Sequence, residues 1–425
     1  MGITLRFAWR NLWRHPRRTW LTASAIAFSA TLLVFMITLQ LGAYDLMIDT
    51  SLRVYTGQLQ VQRTGYLDKP QIRSTIPEAA SLAARLRGAG FPAVATRAQG
   101  FALASSGSRS YGVRAQGFAL ASSGSRSYGV PVVGVEPAHE KEVSTIPGRV
   151  TEGRYLSDVR AQEAVIGATL ARNLKVKLGD ELTLLGSGKD GSVAATIVPV
   201  VGIFESGNPE LDRHFVQLPL ATFQDVFSMG SDAHAIVLSG LDLRTLAQAA
   251  TRVEARLPKD QDLVLRHWEE LLPGIKEAIQ ADMVQNWFTY IVLIVVVTFS
   301  ILNTFLMSVL ERTREFGVML ALGASPYRIG SLVMLESTLL ALLGILIGMG
   351  CGSGLAVYFH FEGFTFPGMA ELYGQFGLPG VIHSKLSFAT LTLGPAVIFV
   401  FTVAAALYPA LRIRRLTPVE AIHAV

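Results

Sequence analysis

At 425 residues, half of them hydrophobic and only 16% charged, with a mean hydropathy of +0.40, the chain is too apolar for a soluble protein of its size and too polar for one lying wholly in a membrane. Its net charge of +5 comes from arginines that flank apolar runs, among them Arg6, Arg10, Arg14, Arg312, Arg314 and Arg412; this is the pattern of membrane topology, and nothing in it points to nucleic acid. The single cysteine, Cys351, excludes an intrachain disulfide, so a soluble domain must hold itself with a packed core.

Residues 1–19 read as a cytoplasmic interfacial helix. Arg6, Arg10, Arg14 and Arg17 recur at helical spacing, and Leu5, Trp9, Leu12 and Trp13 share the other side. Pro16 breaks this pattern, and 20–41 is the first apolar run. It is too long for the apolar region of a typical signal peptide and no convincing cleavage site follows, so it is expected to be a retained anchor with its N-terminus inside.

Residues 42–285 alternate strand-like and helical text. Gln58 to Gln62, Pro131 to Val135 and Ala194 to Gly202 read as strands; Pro77 to Leu86 and Leu243 to Leu257 read as helices. The expectation is an α+β domain outside the membrane. Within it Arg97 to Val113 recurs identically as Arg114 to Val130. Ser-Gly-Ser supplies a turn in each copy. One copy is expected to fill a strand pair and the other to be an added hairpin or loop.

Residues 286–309 form the second span. They run without a charge into Glu311-Arg-Thr-Arg-Glu315 and then the short amphipathic stretch Phe316 to Ala324, punctuated by Gly317 and Gly323. Such a helix running into an amphipathic one can pass a push from a soluble partner into the bilayer. The plainer alternative is a loop with snorkelling arginines. The third span, 329–358, carries Gly344, Gly348 and Gly352, whose four-residue spacing permits close helix approach. Glu336 lies about two turns into that run. It is a functional candidate as an intramembrane ionisable group, against the plainer reading of an interface residue paired with an arginine. Residues 359–387 form an external loop, 388–411 the fourth span and 412–425 a tail. Four spans place both termini and residues 310–328 on the arginine-rich cytoplasmic side. The fold class expected is therefore membrane α-helical, with four transmembrane helices and a large α+β periplasmic domain inserted between the first and second.

Gly186-Ser-Gly-Lys-Asp-Gly-Ser192 fails as a phosphate loop. Asp190 stands where Ser or Thr must ligate Mg²⁺, and Thr183 replaces the first glycine, so a hairpin turn is expected. The scattered histidines, including His360 and His383 of the external loop, have no metal-ligand spacing. No catalytic constellation, bound cofactor or metal is expected, and any ATP would be hydrolysed by another subunit.

Three stretches resemble the MacB/FtsX-type ABC transporter permeases: Arg10 to Arg18, Glu311 to Ala324, and Tyr408 to Arg412 with Pro418 to Ala421. Gly148-Arg149, Glu163 to Ala168, Leu174 to Asp180 and Leu211 to Leu220 are similar to the lipoprotein-releasing (LolC/LolE) branch. The resemblance implies a bacterial inner-membrane permease paired with a second permease, itself or a paralogue, and driven by a separate ABC ATPase. It would extract lipoprotein or lipid towards a periplasmic carrier. The alternative is MacB-like or FtsX-like mechanotransmission, driving efflux or controlling a periplasmic partner. The resemblance also makes Glu311, Arg312, Arg314, Glu315, Phe316, Met319, Leu320, Leu322 and Gly323 the ATPase-coupling segment. Phe316, Met319, Leu320 and Leu322 would fill a groove, and Arg312, Arg314 and Glu315 would form rim pairs. One departure is that the connection Gly186 to Ala195, where carrier-binding members carry a protruding hook, is short, glycine-rich and lacks Pro, which implies either the partner-type subunit that does not hold the carrier or a different substrate.

Overall fold

A computed structural model describes residues 3–91, 93–105, 127–243, 245–258, 260–369, 373 and 380–413. The chain forms two compact units. One comprises Met1–Leu46, Ala278–Met369 and Val381–Val425; the other comprises Met47–Glu277 and Ala370–Gly380.

Among the described residues, four helices are long and apolar enough to cross a membrane: Pro16–Ser51, Pro273–Glu311, Pro326–Phe361 and Phe388–Ile413. They are called here the first to fourth long helices. With 26 to 39 residues each, they exceed the roughly 20 residues that an apolar layer about 30 Å thick requires. The interfacial helix Ile3–Leu12 precedes them. Glycine decides how the first and third long helices pack. A Cβ at Gly348 would stand 2.6 Å from both the Ala27 carbonyl oxygen and the Ala30 Cβ; at Gly344 it would stand 2.8 Å from the Ala23 oxygen, and at Gly352 2.9 Å from the Val34 Cβ. No side chain fits there, so the backbones meet directly, and Thr31 Oγ1 donates to the Gly348 carbonyl at 3.2 Å. Ile26, Leu33, Ile301, Phe305, Ile345 and Ile398 bring all four long helices into one apolar core.

The second unit is a ten-stranded mixed sheet with helices against it. Its strands are β1 (Leu59–Arg63), β2 (Ala93–Ser105), β3 (Ser127–Val135), β4 (Val150–Gly153), β5 (Ala164–Gly167), β6 (Glu181–Ser187), β7 (Val193–Phe204), β8 (Val216–Pro219), β9 (Ala235–Ser239) and β10 (Leu263–His267). The order is β10-β1-β9-β2-β3-β8-β5-β7-β4, and β6 bridges β2 and β7. The pairings β2–β3–β8–β5–β7–β6–β2 therefore close into a ring, which removes the exposed edges of those strands. The β3–β8 and β5–β7 pairs are parallel and the rest antiparallel. The helix Leu220–Val226 packs its Phe223 against Gly134 and Gly100, where a Cβ would come within 2.6 Å and 3.1 Å of the ring side chain.

The stretches read as strands fall in β1, β3 and β7, and those read as helices fall in Ala79–Gly88 and Leu246–Glu254. The duplication resolves differently from the expectation. β2 carries the start of the first copy, Arg97 to Ser105, while β3 begins with the end of the second, Ser127 to Val130. These fragments pair with each other, Ser105 opposite Ser127, so neither copy alone supplies the strand pair. The remainder of the two copies, 106–126, lies outside the described residues, as do most of the loop 370–379 and the tail from 414.

Several residues of the Lol-like stretches hold turns. Glu163 accepts from Arg154 Nη2 at 2.6 Å and Ser157 Oγ at 2.8 Å. Burial works to raise its pKa, but these partners outweigh burial and hold it below the ordinary carboxylate value. Asp180 Oδ2 accepts from the Lys177 N–H at 2.8 Å, and Asp212 Oδ1 from Ser206 Oγ at 2.7 Å.

Candidate functional site

The second long helix ends at Glu311, and a new short helix, Thr313–Ala321, begins at once. Arg312 is the break, with φ −102 and ψ 8. Thr313 Oγ1 donates back to the Val309 carbonyl at 3.0 Å, which fastens the two helices together. Gly323 ends the short helix at φ +92, a left-handed conformation that favours glycine. Ser325 then caps the third long helix, with Pro326 in its first turn.

The two faces of the short helix differ from the expectation, and the assignment of Phe316 is corrected. Phe316 is fully buried, packed with Val309, Ile329, Val333 and Ile413, and Met319 and Leu320 lie half-buried against the same cluster. Its anchor pocket is inside its own chain, because the turn from the second to the third long helix needs an apolar wedge there. The outward face instead carries Arg314, Glu315, Val318 and Leu322, and Leu322 is 82% exposed. Val318 and Leu322 are four apart and form an apolar pair. The i,i+4 spacing was visible in the sequence, but the larger Phe316 masked it.

Arg312 is likewise not a rim residue; its side chain is turned inward and 15% exposed. Its Nη1 donates to Glu336 Oε2 at 2.7 Å, its Nε to Glu315 Oε2 at 3.3 Å, and its guanidinium lies 5.2 Å from the Phe316 ring centre. The other Glu336 oxygen, Oε1, accepts from Asn11 Nδ2 of the interfacial helix at 2.7 Å. Glu311 is exposed and meets Arg18 at 3.2 Å. A small cavity opens among these groups, lined also by Arg14, His15, Thr22 and Ser308. For Glu336, the plainer reading of an arginine-paired carboxylate describes its geometry. Asn11 lies in the family-like stretch Arg10 to Arg18, but nothing in that stretch pairs its amide with Glu336.

The sheet unit has its own buried polar site, again without a sequence signal. After Ser51 the backbone makes a π-helical turn, Leu52–Thr56. Its carbonyls are gripped from the sheet: Arg97 Nη1 donates to Tyr55 O, Ser144 Oγ to Val54 O at 2.9 Å, and the Thr145 N–H to Arg53 O at 2.9 Å. Arg97 and Glu140 form a wholly buried ion pair at 2.6 Å, with the guanidinium 4.1 Å over the Tyr55 ring. Burial works to lower the Arg97 pKa, but Glu140 and the Tyr55 hydroxyl outweigh it and hold the pKa above its ordinary value. Beside this pair His234 is buried, its Nδ1 accepting from the Gln99 N–H at 2.9 Å and its Nε2 3.1 Å from the Ile72 carbonyl. Gln58 to Gln62 and Gln99 add amides to the same interior.

The segment Gly186 to Ser192 forms the tight β6–β7 hairpin, with Gly191 at φ +89 and Asp190 Oδ1 accepting from the Ser192 N–H. No group of histidine, cysteine and carboxylates able to hold a metal exists among the described residues.

Comparison with known proteins gives two family matches. The MacB-like periplasmic core domain matches residues 19–256, and the FtsX-like permease C-terminal region matches residues 287–418. The lipoprotein-releasing system transmembrane protein LolE of Haemophilus influenzae is 26% identical over 299 residues, 68% of this chain and 71% of that protein. LolC of Neisseria meningitidis serogroup B is 21% identical over 303 residues, 68% of this chain and 72% of that protein. The macrolide export ATP-binding/permease protein MacB of Agrobacterium fabrum is 26% identical over 206 residues, 47% of this chain and 31% of that protein.

Proposed function

The chain belongs to the MacB/FtsX-type ABC transporter permeases, and from this we propose that it is a subunit that extracts lipoprotein or lipid from the bacterial inner membrane for transfer outward. The observation that carries the choice of substrate is the extent of likeness. Relatives named for lipoprotein release align over 68% of the chain, against 47% for the macrolide exporter. A separate ABC ATPase supplies the energy, and a second permease, itself or a paralogue, completes the transporter. The termini and the short helix Thr313–Ala321 face the cytoplasm.

The ATPase docks on the outward face of that helix. Val318 and Leu322 enter its groove, and Arg314, Glu315 and Glu311 line the rim, each rim pair contributing about 0–1 kcal/mol. Load then reaches the membrane through Phe316, Met319 and Leu320, which fix the helix to the bundle, while Gly323 ends it. The tight β6–β7 hairpin favours a subunit that leaves the periplasmic carrier to its partner permease. The second reading, MacB-like or FtsX-like mechanotransmission, is favoured by the match of the periplasmic core to the MacB-like model.

Isolation of the complex from native membrane tests the proposal. The expected result is co-purification of one ABC ATPase, a second permease and acylated lipoproteins that leave on ATP addition to an acceptor. Co-purification of the ATPase with an efflux or cell-wall partner, and no ATP-dependent lipoprotein release, would replace it with the second reading.

A further inference from the structure

We propose that Glu336 is a positioning residue that locks the coupling helix to the interfacial helix, so that Asn11, Glu336 and Arg312 together set the orientation in which the ATPase load is received. This rests on the permease reading above and adds a role for the interfacial helix and the intramembrane carboxylate.

One carboxylate is divided between two partners. Oε1 takes Asn11 Nδ2 and Oε2 takes Arg312 Nη1, both at 2.7 Å, and both charged side chains are only 15% exposed. Three separate elements therefore meet on one side chain: the interfacial helix Ile3–Leu12, the break before Thr313–Ala321, and the third long helix. An apolar contact of the same volume would pack a static bundle at least as well, because a partly buried ion pair pays for its desolvation. What the ion pair adds is geometry. A guanidinium–carboxylate contact fixes direction as well as distance, and Arg312 is the residue that caps the start of the short helix. Its Nε holds Glu315 on that helix, and its guanidinium lies over Phe316. A rotation of the short helix about its own axis must carry Arg312 away from Glu336. Arg18 to Glu311 makes a second, more exposed tie from the start of the first long helix. The basic side chains around the same cavity are Arg312, Arg18, Arg14 and His15, and the other acidic ones are Glu315 and, paired with Arg18, Glu311.

The geometry also says which variants separate positioning from mere folding. Glu336→Ala removes both bonds. Glu336→Gln keeps both, since its amide oxygen can accept from Arg312 while Asn11 turns its own oxygen towards the new NH₂ group. Asn11→Leu frees the interfacial helix alone and leaves the ion pair.

The test uses the full chain in nanodiscs, in a Cys351→Ser background, with nitroxide labels at Arg10 and Ala321, and separately with its co-purified ATPase. The expected result is a narrow label distance in the parent and in Glu336→Gln that broadens in Glu336→Ala. With the ATPase bound, substrate released per ATP should fall about tenfold in Glu336→Ala, within the usual range of coupling between sites. It should fall less in Asn11→Leu and stay within about twofold of the parent in Glu336→Gln. ATPase retention should be unchanged in all three, because Val318 and Leu322 are untouched. An unchanged label distance in Glu336→Ala overturns the proposal. So does a broadened distance with an unchanged ratio of release to ATP, which would leave Glu336 a structural tie. A parent chain that retains no ATPase sinks the permease reading and takes this proposal with it; a coupled parent with an equally coupled Glu336→Ala sinks this proposal alone.

Discussion

Single residues in this chain do different work from what their chemistry first suggests. Arg312 and Phe316, read as contact residues, are turned inward, whereas His234 carries no motif yet has a defined protonation state. Burial, more than any nearby charge, pushes its pKa down to about 4. In the fold it is neutral, accepting at Nδ1 from the Gln99 amide and holding the Ile72 carbonyl with Nε2. An unfolded histidine titrates near 6.5. As pH falls from about 6.5 to about 4, the unfolded chain takes up a proton that the folded one refuses, so stability is lost across that window and is fully present above it. The loss amounts to about 3 kcal/mol at most. Hydrogen exchange of the Gln99 amide should show its opening free energy fall by that order between pH 7.5 and pH 4. His234→Gln should remove this part of the pH dependence. An equal fall in parent and variant would assign the effect to other groups.

At the scale of the element, the short helix has an inner side that belongs to the fold and an outer side that is free. Phe316→Ala empties a buried site and should cost about 3–5 kcal/mol, seen as a lower yield of folded chain. Leu322→Asp changes an exposed position and should leave stability within about 0.5 kcal/mol. It should still release the ATPase, with a loss of about 2 kcal/mol or more in a binding measurement. The reverse pattern would return the docking role to Phe316. The duplicated segment can be shortened to a single copy. Removing 114–130 restores one copy without altering the residues of either strand, since the text that replaces Ser127 to Val130 is the identical Ser110 to Val113. Ser105 would then face Ser110 across a four-residue connection, Ser106 to Arg109, a length that β-hairpins commonly use. The deletion variant should express and melt like the parent. A destabilisation beyond about 1–2 kcal/mol would show that both copies are built into the sheet.

For the whole molecule the question is which side of the membrane each part faces. Four long apolar helices require the residues after the first and those after the second to lie on opposite sides. In a Cys351→Ser background, a cysteine at Gly65 should react in intact cells with an impermeant thiol reagent, and one at Ser325 should react only after lysis. Labelling of Ser325 from outside would overturn the four-span orientation and, with it, ATPase docking on the short helix.

The long helices, the charged stretch Glu311 to Glu315 and the glycine stripe of the third helix are legible without any knowledge of packing. Each follows from local rules: apolar length, charge at the ends, and a four-residue spacing that survives in any packing. The alternating text of β1, β3 and β7 was legible for the same reason. Which face of the short helix points outward is set by packing. Both of its faces carry apolar residues, and the choice depends on Ile329, Val333 and Ile413, which arrive from elsewhere in the chain. The same holds for the two carboxylates that matter most. Glu140 finds Arg97 across 43 residues and Glu336 finds Asn11 across 325. A polar pair carries no periodicity, so its partners become visible only when the fold brings them together.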